Sequence, residues 1–293
     1  MKKSDLVLSL GQRLLLLLCT FLVCYVLTVA ASYVLGRALS GNIAGALRIS
    51  AVLQDVLTFI IPAIVTALLV TRKPAELLCL TKKPGALTLI LVAAVLAVSV
   101  PIQEAVIYWN YHMSLPASLS AFENVARALE DAAFTTMKNL LANDSVAALA
   151  VNILIVGVLA GISEELLFRG CFQRLLTTGG VNKHRAVWIV AICFSAMHFQ
   201  IFGFVPRTLL GAYFGYLLLW TRSLWVPVAA HILNNVMFVI SAWLQIRTEG
   251  IESLDNTPSL WPVWLTVAST AATAFSLYLI WAANTRTKTD VKD

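Results

Sequence analysis

Glu164 and Glu165 stand side by side near the end of a long apolar run, within Gly161-Ile-Ser-Glu-Glu-Leu-Leu-Phe-Arg169. A carboxylate at membrane depth is costly and by default marks a functional site. Glu165 and Arg169 are four residues apart with the acid on the N-terminal side, the favourable order for an ion pair within one helix. Glu164 points about 100° away around the same helix, so that arginine does not easily satisfy it. It needs a partner from another helix or a wet cavity.

Two later apolar segments offer partners. One carries Phe194-Ser-Ala-Met-His198, and the other His231-Ile-Leu-Asn-Asn235. In each, the first and last residues share a helix face. Taken singly, each has a blander reading: a charge cluster at the inner membrane edge, or a hydrogen-bonded packing histidine. Together, three separate segments bear polar side chains that are expensive unless they meet. Acids and imidazoles converging in an apolar bundle are the material of hydrolytic chemistry, with a base for water and donors for developing negative charge. Glu164, His198 and His231 would equally serve as a zinc set with an open water position, and spacing does not decide between the two.

The elements that must position these residues follow from composition. The chain has 293 residues, 59% hydrophobic and only 12% charged, with a mean hydropathy of +0.84. A soluble domain is about 25% charged. The expected fold class is all-α: a polytopic bundle forming one transmembrane domain over 1–293. Eight apolar stretches stand out, at 14–35, 52–71, 87–109, 146–168, 186–204, 207–220, 224–244 and 261–283. Most approach the ~20 residues needed to cross the hydrocarbon. The sixth, short and following Pro206, is the weakest. The first is too long for the h-region of a signal peptide and is read as a retained span.

With the N-terminus inside, 15 of the 21 basic residues fall on the inner side. Arg37, Arg48, Arg127, Lys138, Arg207 and Arg247 fall on the other, so the positive-inside rule puts both termini in the cytoplasm. The net charge of +6 is therefore a topology signal and not a nucleic-acid one. Counting 1.5 Å per residue from the inner interface, Glu164 lies about 15 Å deep, His231 about 10 Å and His198 about 18 Å. A cavity at that depth would open to the cytoplasm.

Between the third and fourth stretches, Phe122, Val125, Ala126, Leu129, Ala133, Met137, Leu140 and Leu141 recur at helical spacing. This predicts an amphipathic helix over 119–141, lying on the membrane surface. It either packs there or covers the mouth of a cavity. Gly157 and Gly161, like Gly211 and Gly215, are spaced for close helix approach. The five cysteines show no CxxC spacing and read as small buried hydrophobes. The polar tail 284–293 is expected to be disordered.

The segment around Glu164 resembles the Glu-Glu-x-x-x-Arg motif of the CPBP membrane proteases. That family includes the type II CAAX prenyl endopeptidases and bacteriocin-immunity-type proteins. Phe194-x-x-x-His198 is similar to its second motif. Thr208-Leu-Leu-Gly-Ala-Tyr-Phe-Gly215 and the following Thr-Arg-Ser-Leu-Trp225 resemble its Gly-rich span and Ser-Leu-Trp turn, and His231-x-x-x-Asn235 its last motif. The likeness covers about 146–243, with the four motifs in the family's order. Arg222 departs from it, standing where many members have a small residue such as Gly.

The resemblance implies an intramembrane endopeptidase. Glu164 would activate a water, with His198 as orienter or proton shuttle. His231 and Asn235 would form the oxyanion hole, while Glu165, Arg169 and Phe194 support them. It further implies no cofactor, with zinc held by Glu164, His198 and His231 as the alternative. The substrate would be a membrane-associated protein or peptide, and no nucleic acid is a partner. The location would be the cell membrane, a bacterial inner membrane. Two rival readings are a catalytically silent immunity or scaffold protein on the same fold, and a transporter or proton-coupled channel. The intact Glu164, His198, His231 and Asn235 argue against the first. The second predicts inverted repeats or paired broken helices, which the sequence lacks.

Overall fold

The computed structural model describes residues 8–255 and 260–285, and every element in them is a helix. The principal helices are α1 (Leu10–Ala38), α2 (Ile43–Val70), α3 (Ala86–Val98), α4 (Val100–Tyr111), α5 (Ser120–Leu141), α6 (Val146–Thr178), α7 (Lys183–Ala196), α8 (Phe204–Thr221), α9 (Trp225–Glu249) and α10 (Val263–Thr285). The termini expected to lie inside, and the polar tail beyond Thr285, fall outside the described residues. Large apolar side chains on α1 and α10 point outward. That is the expected face for helices whose solvent is lipid.

Among the described residues six helices are long and apolar enough to cross a membrane, and seven if the bent pair α3–α4 counts as one span. The protein is a multi-pass membrane protein. The expectation of eight full spans is corrected at α7, which has 14 residues. At 1.5 Å per residue it rises about 21 Å, short of the ~30 Å hydrocarbon. The sixth stretch, expected to be the weakest, forms an 18-residue helix instead. Hydropathy ran on past residue 196 because Ile201, Phe202 and Phe204 are apolar, yet α7 ends there: a turn and the single 3-10 turn Ile201–Gly203 separate it from α8. Phe199 takes a left-handed φ of 54°, a conformation that ends a helix.

Close approach of α6 to α9 follows from glycine. A Cβ on Gly161 would sit 3.0 Å from the Ile232 backbone nitrogen, and one on Gly157 would overlap the Val236 side chain at 2.7 Å. In α7–α8, a Cβ on Gly211 would come within 3.2 Å of the Ala191 Cα. These contacts draw α6, α7, α8 and α9 around one centre, where Phe59, Phe168, Phe194 and Phe214 are buried.

Regular α-helix is interrupted by π-helical stretches at Gln54–Ile60 in α2, and at Ile153–Leu159 and Leu166–Gln173 in α6. Such stretches gather at functional sites because the extra residue re-aims side chains. The pair α3–α4 bends by 50°, where Pro101 lacks a backbone donor. From α10, the Ser269 hydroxyl donates to the Val98 carbonyl (2.6 Å) and accepts from the Ile102 N–H (3.3 Å). Backbone groups freed inside a membrane need such a partner.

The predicted amphipathic helix is α5, Ser120–Leu141. It does more than rest on a surface. Arg127 stacks over Phe202, 3.8 Å from the ring centroid, and donates to the carbonyls of Tyr111 and Met113. Phe202 belongs to the loop between α7 and α8, so α5 covers that loop. The cysteines are free; Cys79 and Cys171 are buried, but Cys19 is exposed, against expectation.

Candidate active site

Ser163, Glu164 and Glu165 occupy consecutive positions on α6 and fan out by about 100° each. The outer two are tied. Glu165 is fully buried, and its Oε1 accepts from Arg169 Nη1 at 2.5 Å and from His231 Nδ1 at 2.9 Å. On the other flank, Ser163 Oγ donates to Asp55 Oδ1 of α2 at 2.7 Å. Glu164 lies between these anchors with 16% of its side chain exposed. Its Oε2 is 3.8 Å from His231 Nε2, outside hydrogen-bond range.

Arg169 is also fully buried, and it is enclosed rather than merely paired. Its Nη2 donates to the Gly211 carbonyl at 3.0 Å. The guanidinium lies over Phe194 at 4.6 Å and Phe214 at 5.3 Å from the ring centroids. Aromatic faces attract a desolvated cation, so the expected supporting role of Phe194 has a physical form. Phe214 also stacks on the His231 ring at 4.7 Å. The ion pair expected inside the helix therefore extends to a third member, His231, which sequence spacing did not reveal.

The two histidines each have one nitrogen fixed. His198 Nδ1 lies 2.9 Å from the Phe194 carbonyl. A carbonyl only accepts, so this nitrogen carries the proton. His231 Nδ1 faces the Glu165 oxygen that already accepts from Arg169, so it donates as well. Both rings thus present Nε2 as the uncommitted atom, an acceptor in the neutral ring and a donor in the imidazolium.

Asn235 is tied at both ends of its amide. Its Nδ2 donates to the Val156 carbonyl at 3.1 Å, within the π-helical stretch of α6. Its Oδ1 accepts from Asn234. One amide hydrogen remains for other use.

His198 sits just beyond the end of α7, on the loop that α5 covers. Arg207 donates to Gln200 Oε1 at 2.6 Å and carries its charge between Glu130 of α5 and Glu164. One Glu130 oxygen, Oε1, is buried with no partner in hydrogen-bond geometry, although Gln200 and the backbone N–H groups of Phe202 and Gly203 face the carboxylate. Burial pushes the Glu130 carboxyl up, against the pull of Arg207 and these donors. The loop bearing His198 meets α5, of the long 112–145 connection.

Sequence reasoning missed Asp55, Arg207 and Glu130. The signal for Asp55 was present: an acid in the apolar stretch 52–71, the same reason that singled out Glu164. As for metal, among the described residues no three His, Cys, Asp or Glu side chains converge in an arrangement that could hold an ion.

With an acid–imidazole cluster inside a multi-pass helical bundle, this is a membrane protein with a built polar centre. Residues 146–237 match the family model described as type II CAAX prenyl endopeptidase Rce1-like. The matched segment holds Glu164, Glu165, Arg169, His198, His231 and Asn235. Among curated proteins, the chain is similar to "Uncharacterized protein YpbD" of Bacillus subtilis (strain 168). They are 29% identical over 104 residues, which is 34% of this chain and 48% of that protein. The chain thus spans about half the length of this curated relative. No solved structure matches it.

Proposed function

We propose that this protein is an intramembrane endopeptidase that cleaves a membrane-associated protein or peptide, using a water activated by Glu164 and His198 without a metal. The observation that carries the reading is the difference between the two glutamates. Glu165 is spent on Arg169 and His231, whereas Glu164 is partly accessible and lacks a close partner. A general base must be free to reach water.

In this reading the water rests against Glu164 and His198 Nε2. Glu164 takes one proton as the oxygen attacks the scissile carbonyl. The oxyanion forms beside His231, whose imidazolium donates Nδ1–H to Glu165 and Nε2–H to the oxyanion, and beside the remaining Asn235 amide hydrogen. Fixed donors aimed at developing charge are the largest single contribution in such sites. Collapse of the tetrahedral intermediate breaks the C–N bond, and the proton held by Glu164 passes to the leaving amine.

The catalytic core is 146–243 within a single transmembrane domain in the cell membrane; with α7, though short, carrying the chain back across beside α8, both termini are cytoplasmic. A cysteine introduced at Asp131 is then labelled from outside intact cells and one at Lys82 is not; outside labelling at Lys82 overturns this orientation. The function itself is tested by comparing membrane proteomes with wild type and with Glu164→Gln, looking for peptides that accumulate uncut. Purified protein keeps its activity through chelation and dialysis. One equivalent of zinc, lost together with activity and restored by zinc alone, would make Glu164 a ligand.

A further inference from the structure

Asp55 is a buried carboxylate that the mechanism above does not use. It comes from α2, outside the segment 146–237 that matches the family. It is the second residue of the π-helical stretch Gln54–Ile60, and Ser163 donates to its Oδ1 at 2.7 Å. Its charge faces Glu164 and His231. The Ser163 hydroxyl, fully buried, also reaches back to the Ala160 carbonyl at 3.1 Å.

Glu164 is therefore held from both sides. On one flank Glu165 is pinned by Arg169 and His231. On the other Ser163 is pinned by Asp55. Side chains that touch neither water nor substrate still set the geometry from which a base works, and small displacements are costly: a misplacement of about 1 Å can lower the rate ~10²-fold.

We infer that Asp55 is a positioning residue of this hydrolytic site, fixing through Ser163 the turn of α6 from which Glu164 projects. The inference rests on the endopeptidase reading for its kinetic consequence, but the anchoring itself does not. It also assigns a part in the site to α2, so the matched segment alone is not the whole of the machinery.

The test uses the full-length protein in detergent with four variants: Asp55→Ala, Asp55→Asn, Ser163→Ala, and Asp55→Ala with Ser163→Ala. Activity is counted per folded molecule. Asp55→Ala and Ser163→Ala each lower kcat by about 10- to 100-fold with KM little changed. The double variant is no worse than either single one, because both remove the same bond. Asp55→Asn keeps an acceptor oxygen and recovers most of the loss. A fall in KM-controlled binding with kcat intact, additive losses, or an Asn variant as poor as the Ala variant each overturns the inference.

A second measurement needs no turnover. Dicyclohexylcarbodiimide modifies carboxyl groups within membranes, and mass spectrometry locates the adduct. The rate of modification at Glu164 rises several-fold in Asp55→Ala and Ser163→Ala but not in Asp55→Asn. Equal rates in all variants overturn the positioning role. Altered rates in a protein that cleaves no peptide leave the anchoring in place and sink the endopeptidase reading instead.

Discussion

The two halves of the site are built on opposite plans. Around Glu165, a buried acid, a buried guanidinium and an imidazole lock together between the rings of Phe194 and Phe214. Around His198, a short helix ends early, one backbone carbonyl holds the ring, and the next residue, Phe199, is 68% exposed in a left-handed conformation. The first half is fixed by side chains in the protein interior. The second is a loop held by other elements: Asn110 of α4 donates to the Ile201 carbonyl and accepts from the Val205 N–H, and α5 lies across it. A hydrolytic centre needs donors that stay fixed and a face that admits a substrate. The contrast assigns those needs to different halves.

The hardest blow to the locked half is Arg169→Ala. It strands Glu165 in the interior without its cation and removes the side-chain donor to the Gly211 carbonyl. Breaking a buried pair from one side costs about 3–5 kcal/mol, so the variant melts far below wild type or does not fold. Removing both charges, with Arg169→Met and Glu165→Gln, recovers much of that stability while activity stays lost. A wild-type melting temperature for Arg169→Ala would show that the cage is not what holds this half together.

Glu164→Gln comes next and separates chemistry from folding. It removes the base while preserving shape, costing ~10²–10⁴-fold in rate with an unchanged melting temperature. Glu165→Gln, by contrast, loses stability and the anchor of His231 at once. If the stable and inactive variant is instead Glu165→Gln, the roles of the two acids are exchanged.

The smallest effect probes the open half. A non-glycine residue in the left-handed region stores about 1–3 kcal/mol of strain. Phe199→Gly releases part of it and raises the melting temperature by a few degrees, while the loosened loop lowers kcat several-fold, a trade of activity for stability. A lower melting temperature would mean that the exposed ring makes contacts that hold the loop.

Much of this was legible in the sequence, and what was not has a common cause. Helical periodicity placed Glu165 and Arg169 on one turn and located α5 to within a residue, because both are local properties. Hydropathy found every membrane helix but overran α7, since apolar residues continue through the connection that follows it. The link from Glu165 to His231 crosses 66 positions and depends on how α6 meets α9. Asp55 was visible as an intramembrane acid, yet its partner Ser163 is an ordinary residue until the π-helical stretch in α2 turns the carboxylate toward it. Arg222 shows the reverse. It stands in the left-handed conformation, so the small residue common at that position in the similar family has a backbone reason that the motif alone does not state.

The bend between α3 and α4 carries a consequence for biosynthesis. The Val98 carbonyl and the Ile102 N–H find their partner in Ser269, on the helix that leaves the ribosome after all the others described. While α1 to α9 enter the bilayer, those two backbone groups must rely on water or a transient neighbour. The bent pair therefore reaches its final hydrogen-bonded form only when α10 arrives beside it, which makes insertion of that helix the step that seals the bundle.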